Sequence, residues 1–230
     1  MNVEVNLLAH TPQPIRVLWT AARTCYSSLT PQELWDGYPI ASMRDMDSPG
    51  KVTKLLRSLW ERGHQSVFEH VSLTYAVSGV SRVLLAQYSR HRIGVSLSVQ
   101  SQRHVRQEEG MVWPESFFAQ DKSQPGAIKT WIAVRHAYEA VWHAYEELVA
   151  LGVPKEDARF ILPEGTVTNF VTTVNLRSLM HLYRLRVLEP GAQWEVEQLV
   201  REMVRLAAEA IPELAQIIPG LGQEVAGDAT

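Results

Sequence analysis

Cysteine is nearly missing from this sequence. The single Cys25 excludes an intramolecular disulfide and any zinc site built on paired cysteines, and it suits a reducing compartment such as the cytoplasm. A positive balance is missing as well. The formal charge is −3, so no global basic field would draw the chain onto nucleic acid or an anionic membrane surface. No uncharged apolar run is long enough to span a bilayer, and the first ten residues lack the basic start and apolar stretch of a signal peptide. There is no Gly-rich dinucleotide fingerprint, no phosphate-binding P-loop and no G-x-S-x-G elbow, so a bound flavin or nucleotide would not be held by a Rossmann turn. Internal repeats and low-complexity tracts are absent too. Anion recognition therefore has to come from local arginine clusters.

What is present is an ordinary globular composition, 46% apolar and 20% charged over 230 residues, which can fill a sizeable core and fits one domain over residues 1–218. Val3, Val5 and Leu7 alternate with polar residues and predict a first strand. Helices are predicted from Ile15 to about Tyr26 and from Lys51 to Glu61, the latter with Val52, Leu55, Leu56 and Leu59 on one face. Val71, Leu73, Tyr75 and Val77 predict a half-buried strand, with Ser78 as cap of a helix through Val83, Leu84 and Tyr88. The serine-rich stretch after Arg92 reads as irregular. Ala127–Leu151 is the longest helix, striped by Val134, Tyr138, Val141, Tyr145 and Leu148 and ended by Gly152, with a short helix after Pro154. Thr166–Val174 is rich in β-branched residues and reads as a strand. Asn175 caps a helix through Leu185, Pro190-Gly191 breaks it, and a last helix runs from Ala192 to about Ala210 with Val196, Leu199, Val200, Met203 and Ala207 inward. Asp36–Gly50 reads as a loop and 219–230 as a flexible tail. Strands and helices mix without a βαβ beat, so the fold class is α+β, a mixed or antiparallel sheet with packed helices.

Three clusters carry chemistry. Arg90-His91-Arg92, followed by Ser96, Ser98, Ser101 and Arg103, gathers two guanidinium forks, a histidine and hydroxyl donors at a predicted helix end. A pocket for a phosphorylated ligand and a solvated basic helix C-terminus both fit that composition. Gly63-His64-Gln65-Ser66-Val67-Phe68-Glu69-His70 precedes a strand; its histidines are six apart, which matches no common metal spacing, so no metal site is expected, Ser66 caps or contacts a ligand and Phe68 packs inward. In Asn175–Arg186, Leu176, Leu179, Met180 and Tyr183 share an apolar helix face, flanked on one side by Arg177, His181 and Arg184 and on the other by Arg186. Plain amphipathicity with solvated arginines also explains that pattern. Arg159 stands alone before an apolar run, and Cys25 reads as inert helix packing.

Taken in order, Arg23-Thr24-Cys25-Tyr26, Gly63-His64 to Glu69-His70, Arg90-His91-Arg92, Ser101-Gln102-Arg103, Arg159–Pro163, Asn175–Met180, Arg186 and Ala192-Gln193-Trp194-Glu195 resemble the motifs of the flavin-dependent thymidylate synthases, over about residues 20 to 200. The resemblance implies that family's α+β fold and a homotetramer with active sites between subunits. It implies methylation of dUMP to dTMP, with FAD as cofactor, NADPH and 5,10-methylenetetrahydrofolate as co-substrates and no protein nucleophile. By motif position Ser66, Arg90, His91, Arg92, Asn175, Arg177 and His181 would contact FAD. Gln87, Arg90, Ser101, Gln102, Arg103, Arg159 and Arg186 would hold dUMP, with Arg186 beside the uracil, and His64 would lie near flavin and folate. The chain departs from the pattern in three places: eight residues rather than seven lie between Arg92 and Ser101, position 99 is Val where Gln or Glu is usual, and His104 replaces a common Tyr. Val99 and the longer loop motivate one alternative, a pyrimidine nucleotide hydroxymethylase of the same fold. A nucleic-acid-binding module is the other, and the acidic balance opposes it.

Overall fold

The computed structural model describes residues 3–38, 49–118, 126–219 and 221. Most of the loop expected over 36–50, and all but two residues of the tail expected over 219–230, lie outside them. Four strands, β1 (Glu4–His10), β2 (Ser72–Ser81), β3 (Val95–Val99) and β4 (Val167–Asn175), form one antiparallel sheet in the order β1-β2-β4-β3. Register between β2 and β4 is pinned by Thr74 against Thr173 through their hydroxyls (2.9 Å) and by Gly79 N donating to Asn169 Oδ1 (2.9 Å). The strict alternation of β2, with Leu73, Tyr75 and Val77 buried, is the period-two pattern of a strand with one covered face.

The chain divides into two compact units. The first comprises Val5–Ala76, His91–Leu97 and Val171–Thr230. Here α1 (Pro14–Thr24) begins on Pro14, where a missing N–H costs nothing, and buries Leu18, Trp19 and Ala22 at helical spacing. A short helix, α2 (Pro31–Asp36), was not expected. It is set by a capping box in which the Thr30 hydroxyl accepts from Glu33 N (3.3 Å) and the Glu33 carboxylate accepts from Thr30 N (2.8 Å). Arg16 fastens it to α1, its guanidinium lying 4.1 Å from the centre of the Trp35 ring and donating to Trp35 O. Helix α3 (Pro49–Glu61) buries Val52 and Leu56 as its sequence predicts. Helix α7 (Leu176–Tyr183) and helix α8 (Trp194–Ala210) present the expected apolar faces, and α9 (Leu214–Ile217) follows. Tyr75 on β2 donates its buried hydroxyl to Met203 O on α8 (2.9 Å), so the sheet and helix are joined by a satisfied polar contact inside an apolar layer.

The second unit comprises Met1–Glu4, Val77–Arg90 and Ser98–Phe170. Helix α4 (Arg82–Tyr88) is capped by Ser81, whose Oγ accepts from Leu84 N (3.0 Å). Ser78 is not the cap, because β2 continues past Gly79, which takes φ +72 inside the strand rather than ending it. Helix α5 (Ala127–Ala150) and helix α6 (Lys155–Ala158) enclose a core of Trp142, Tyr145 and Ala158. Tyr88 stacks on Phe170 with ring centres 5.3 Å apart.

Candidate active site

In the first unit the site is built on the N-terminus of α7. Asn175 Oδ1 accepts from Ser178 N (2.8 Å), so this residue is the expected cap. The chain leaving Arg90-His91-Arg92 is stitched to that cap: Asn175 N donates to Gly94 O (2.9 Å) and Ser178 Oγ donates to Ile93 O (2.8 Å). Gly94 has φ +65, and a Cβ there would overlap Asn175 Nδ2 and Ser178 Oγ. The segment then becomes β3 rather than the irregular stretch its serines suggest, with Val95, Leu97 and Val99 half-buried on one face.

Beyond Tyr183 the helix does not stay α-helical through Leu185. It widens into a π turn, Arg184–Leu188, closed by Glu189 N donating to Arg184 O (2.9 Å). Arg186 lies in that turn, half-buried, and its guanidinium meets His91 Nε2 through Nε (3.2 Å) and Nη2 (2.9 Å). A guanidinium can only donate, so His91 accepts at Nε2, and the imidazole in this contact is the neutral tautomer protonated on Nδ1. Arg177 forms an ion pair with Glu69, which ties α7 to the 3₁₀ turn Gln65–His70. His64, Ser66, Arg92 and His181 are exposed. Ser66 does not cap that turn, whose leading position is His64, and Phe68 is fully buried as expected. His64, Ser66, His91, Arg92, Asn175, Arg177, His181 and Arg186 thus fall in one unit.

The remaining predicted residues, Gln87, Arg90, Ser101, Gln102, Arg103 and Arg159, fall in the other. Glu156 joins two of them, Arg103 and Arg159. Its carboxylate pairs with Arg103 and its carbonyl accepts from Arg159 Nε (3.0 Å), while neighbouring Lys155 donates to His104 O (3.3 Å). Ser101 Oγ accepts from Arg103 N (3.3 Å). Gln102 is turned inward at 6% exposure and gives its amide to Gln107 Oε1 (3.1 Å).

Arg82 was not singled out from sequence. It opens α4 directly after the cap, where a cation opposes the helix dipole, and that misplacement was the available signal. Burial, and then the charge of nearby Arg159, pull its guanidinium below the ordinary arginine range. Among the described residues neither Arg82, Arg90 nor Arg92 has a carboxylate within ion-pair distance. Guanidinium groups left without a carboxylate among the described residues, one of them lying in the field of Arg159, are the chemistry that a phosphate or pyrophosphate satisfies. In α1, buried Trp19 Nε1, Thr20 Oγ1 and Arg23 Nε have no hydrogen-bond partner among the described residues. Cys25 is exposed at the end of that helix rather than packed inside it.

Comparison with known proteins gives the family and the fold. Residues 6–213 match the family described as thymidylate synthase complementing protein. The flavin-dependent thymidylate synthase of Geobacter sulfurreducens is 39% identical over 215 residues, covering 92% of this chain and 85% of the relative. That of Haloarcula marismortui is 36% identical over 238 residues, covering 92% and 93%. A crystal structure of the UMP/dUMP methylase PolB from Streptomyces cacaoi, bound with 5-Br dUMP, superposes with a TM-score of 0.75 at 24% identity over 92% of both chains, which establishes the shared fold. The α+β architecture, the ordered motifs and the sequence relatives agree, and the chain belongs to the family of flavin-dependent thymidylate synthases.

Proposed function

We propose that this protein catalyses the reductive methylation of dUMP to dTMP with FAD as bound cofactor and NADPH and 5,10-methylenetetrahydrofolate as co-substrates. In this reading residues 1–218 act as one domain of a cytoplasmic homotetramer whose active sites lie at subunit boundaries. The observation that carries it is the set of guanidinium groups without carboxylate partners among the described residues, Arg82, Arg90 and Arg92, in a chain whose overall charge is negative. Such a set suits the pyrophosphate of a flavin dinucleotide and the phosphate of a nucleotide, and the donor chemistry fits both.

When bound, the flavin supplies hydride transfer. The chain's own residues bind and orient. Ser66, Arg90, His91, Arg92, Asn175, Arg177 and His181 hold the cofactor, with His64 beside flavin and folate. Arg103 and Arg159, joined by Arg82, hold the dUMP phosphate, with Gln87, Arg90 and Ser101 around the nucleotide. Gln102 contributes through its backbone, since its side chain is committed to Gln107. Arg186 is a cation fixed by His91, and it lowers the energy of negative charge on the uracil as the N3 proton leaves. No protein nucleophile is needed, and Cys25 has no role.

An absorbance spectrum tests this reading. Purified protein should show the flavin band near ~450 nm, a property of the cofactor itself, and dUMP should perturb it. With all substrates the product should have the mass of dTMP. A colourless protein that cannot be reconstituted with FAD overturns the proposal, and a hydroxymethylated product replaces it with the chemistry that Val99 raises. Arg82→Gln should raise the KM for dUMP by about tenfold, the worth of one hydrogen-bonded charge contact of ~1.5 kcal/mol, with flavin content unchanged. An unchanged KM removes Arg82 from the phosphate site.

A further inference from the structure

The turn that carries Ser101, Gln102 and Arg103 is closed by its own backbone, with His104 N (3.2 Å) and Val105 N (2.9 Å) both donating to Ser101 O. It is fastened to the rest of the second unit on two sides. On the outer side Arg103 pairs with Glu156, and Lys155 Nζ donates to His104 O (3.3 Å). The Arg103 and Glu156 side chains are 62% and 42% exposed, so water screens this pair and it contributes little. A phosphate arriving on Arg103 also competes with Glu156 for the same guanidinium fork. The outer fastening is therefore the one that ligand entry loosens.

The inner side runs through Gln107, to which the reading above assigns no role. Gln107 N donates to the hydroxyl of Tyr145 (3.1 Å). Tyr145 is fully buried in the core between α5 and α6, its ring centre 5.4 Å from that of Trp142. Gln107 Nε2 donates to Val167 O on β4 (3.0 Å), and Gln107 Oε1 accepts from Gln102 Nε2 (3.1 Å). The direction of that amide is dictated. A backbone carbonyl can only accept, so the NH₂ end must face Val167 and the oxygen must face the turn. One residue thus ties Gln102 to a strand and to a helix. Gln102 is 6% exposed, and a buried amide deprived of its partner is costly where an exposed one is not. We infer that Gln107 is a positioning residue for the nucleotide phosphate: by holding Gln102 inward it keeps the Ser101 hydroxyl and the Arg103 guanidinium in one arrangement. This inference rests on the thymidylate synthase reading, in which that turn grips dUMP. Gln107 lies behind the turn and acts only through it, so it governs affinity and not the chemical step.

Titration of the purified flavoprotein with dUMP, beside deoxyuridine, which lacks the phosphate, tests it. Gln107→Met keeps the length of the side chain and removes both of its hydrogen bonds. It should weaken dUMP binding about tenfold, the scale of one buried amide left without its partner, and leave deoxyuridine binding unchanged. In turnover the KM for dUMP should rise by the same factor, while kcat at saturating dUMP, the KM for methylenetetrahydrofolate and the flavin content stay at wild-type values. Gln102→Met removes the same contact from the other side, so the double variant should bind dUMP no more weakly than the weaker of the two single variants. Tyr145→Phe removes only the acceptor for Gln107 N, keeps the aromatic core if Gln107→Met does not fold, and should weaken dUMP binding in the same way. Unchanged dUMP binding overturns the inference, and so does an equal loss for dUMP and deoxyuridine, or single effects that multiply in the double variant. A wild-type flavoprotein that binds no dUMP defeats the functional reading instead. Hydrogen exchange at the Arg103, His104 and Val105 amides without ligand, expected to be faster in Gln107→Met, then still decides whether Gln107 fastens the turn.

Discussion

With Arg186 replaced by alanine, dTMP formation is expected to fall by about 10²–10³-fold while the flavin stays bound. That factor corresponds to the ~3–4 kcal/mol lost when one preorganised donor is removed from a developing negative charge. The reasoning starts from position. Arg186 sits in the π turn, where the helix is wider by one residue, and its guanidinium is fixed by two contacts to His91 Nε2. A cation held this way does not have to be reorganised when charge appears beside it. Arg186→Lys keeps the charge but loses the planar fork, so it should recover part of the rate and not all of it. Product formation at saturating dUMP, read together with flavin absorbance, separates the outcomes. Near-normal turnover in Arg186→Ala would remove this residue from the chemistry, and loss of flavin would make it a cofactor ligand instead.

Gly94→Ala is expected to lower the melting temperature by roughly 5–10 °C and to reduce the flavin content. Two costs add. A non-glycine residue at φ +65 pays of order 1 kcal/mol of backbone strain. The new methyl also displaces Asn175 and Ser178, which endangers a helix cap worth about 1 kcal/mol and the Ser178–Ile93 hydrogen bond. A total of about 2–3 kcal/mol converts to that shift for a chain of this size. Flavin content should follow, because the cap carries Asn175 and Arg177 and the stitched segment carries His91 and Arg92. Thermal melting with Asn175→Ala as a reference checks the account. A Gly94→Ala protein that melts and binds flavin like wild type would show that the stitch between segment and helix does not matter.

Most of the fold could be read from periodicity. Helices α1, α3, α5 and α8 have apolar residues at three- and four-residue spacing, and β2 and β4 alternate or are β-branched, because one face of each is buried. What escaped was short or unpatterned. Helix α2 has six residues and no stripe, although Thr30, Pro31 and Glu33 spell its capping box. Strand β3 is an edge strand of five residues whose outward serines resemble a loop. Ser78, read as a helix cap, lies inside β2, which runs on through Gly79 to Ser81. Nothing in the sequence marks the π turn. The arginine clusters were legible as clusters because charge density is a local property. Their partners were not, since Arg186 and His91 are 95 positions apart and only the fold brings them together. Arg82 was missed for the related reason that its significance comes from Arg159, far along the chain.

The one-residue excess between Arg92 and Ser101 has an implication for how this stretch tolerates insertions and deletions. Asn175 N on Gly94 O, the Thr172 hydroxyl on Ser96 O (2.9 Å) and Gln100 N on Asn169 O (2.9 Å) hold the segment at its start, middle and end. The stretch is therefore ruled like graph paper, with no slack between the fastenings. Removing a single position inside it would interchange the inward valines and leucine with the outward serines, because parity along a strand has only two values. A length change here is tolerated in pairs and in no other way along the edge.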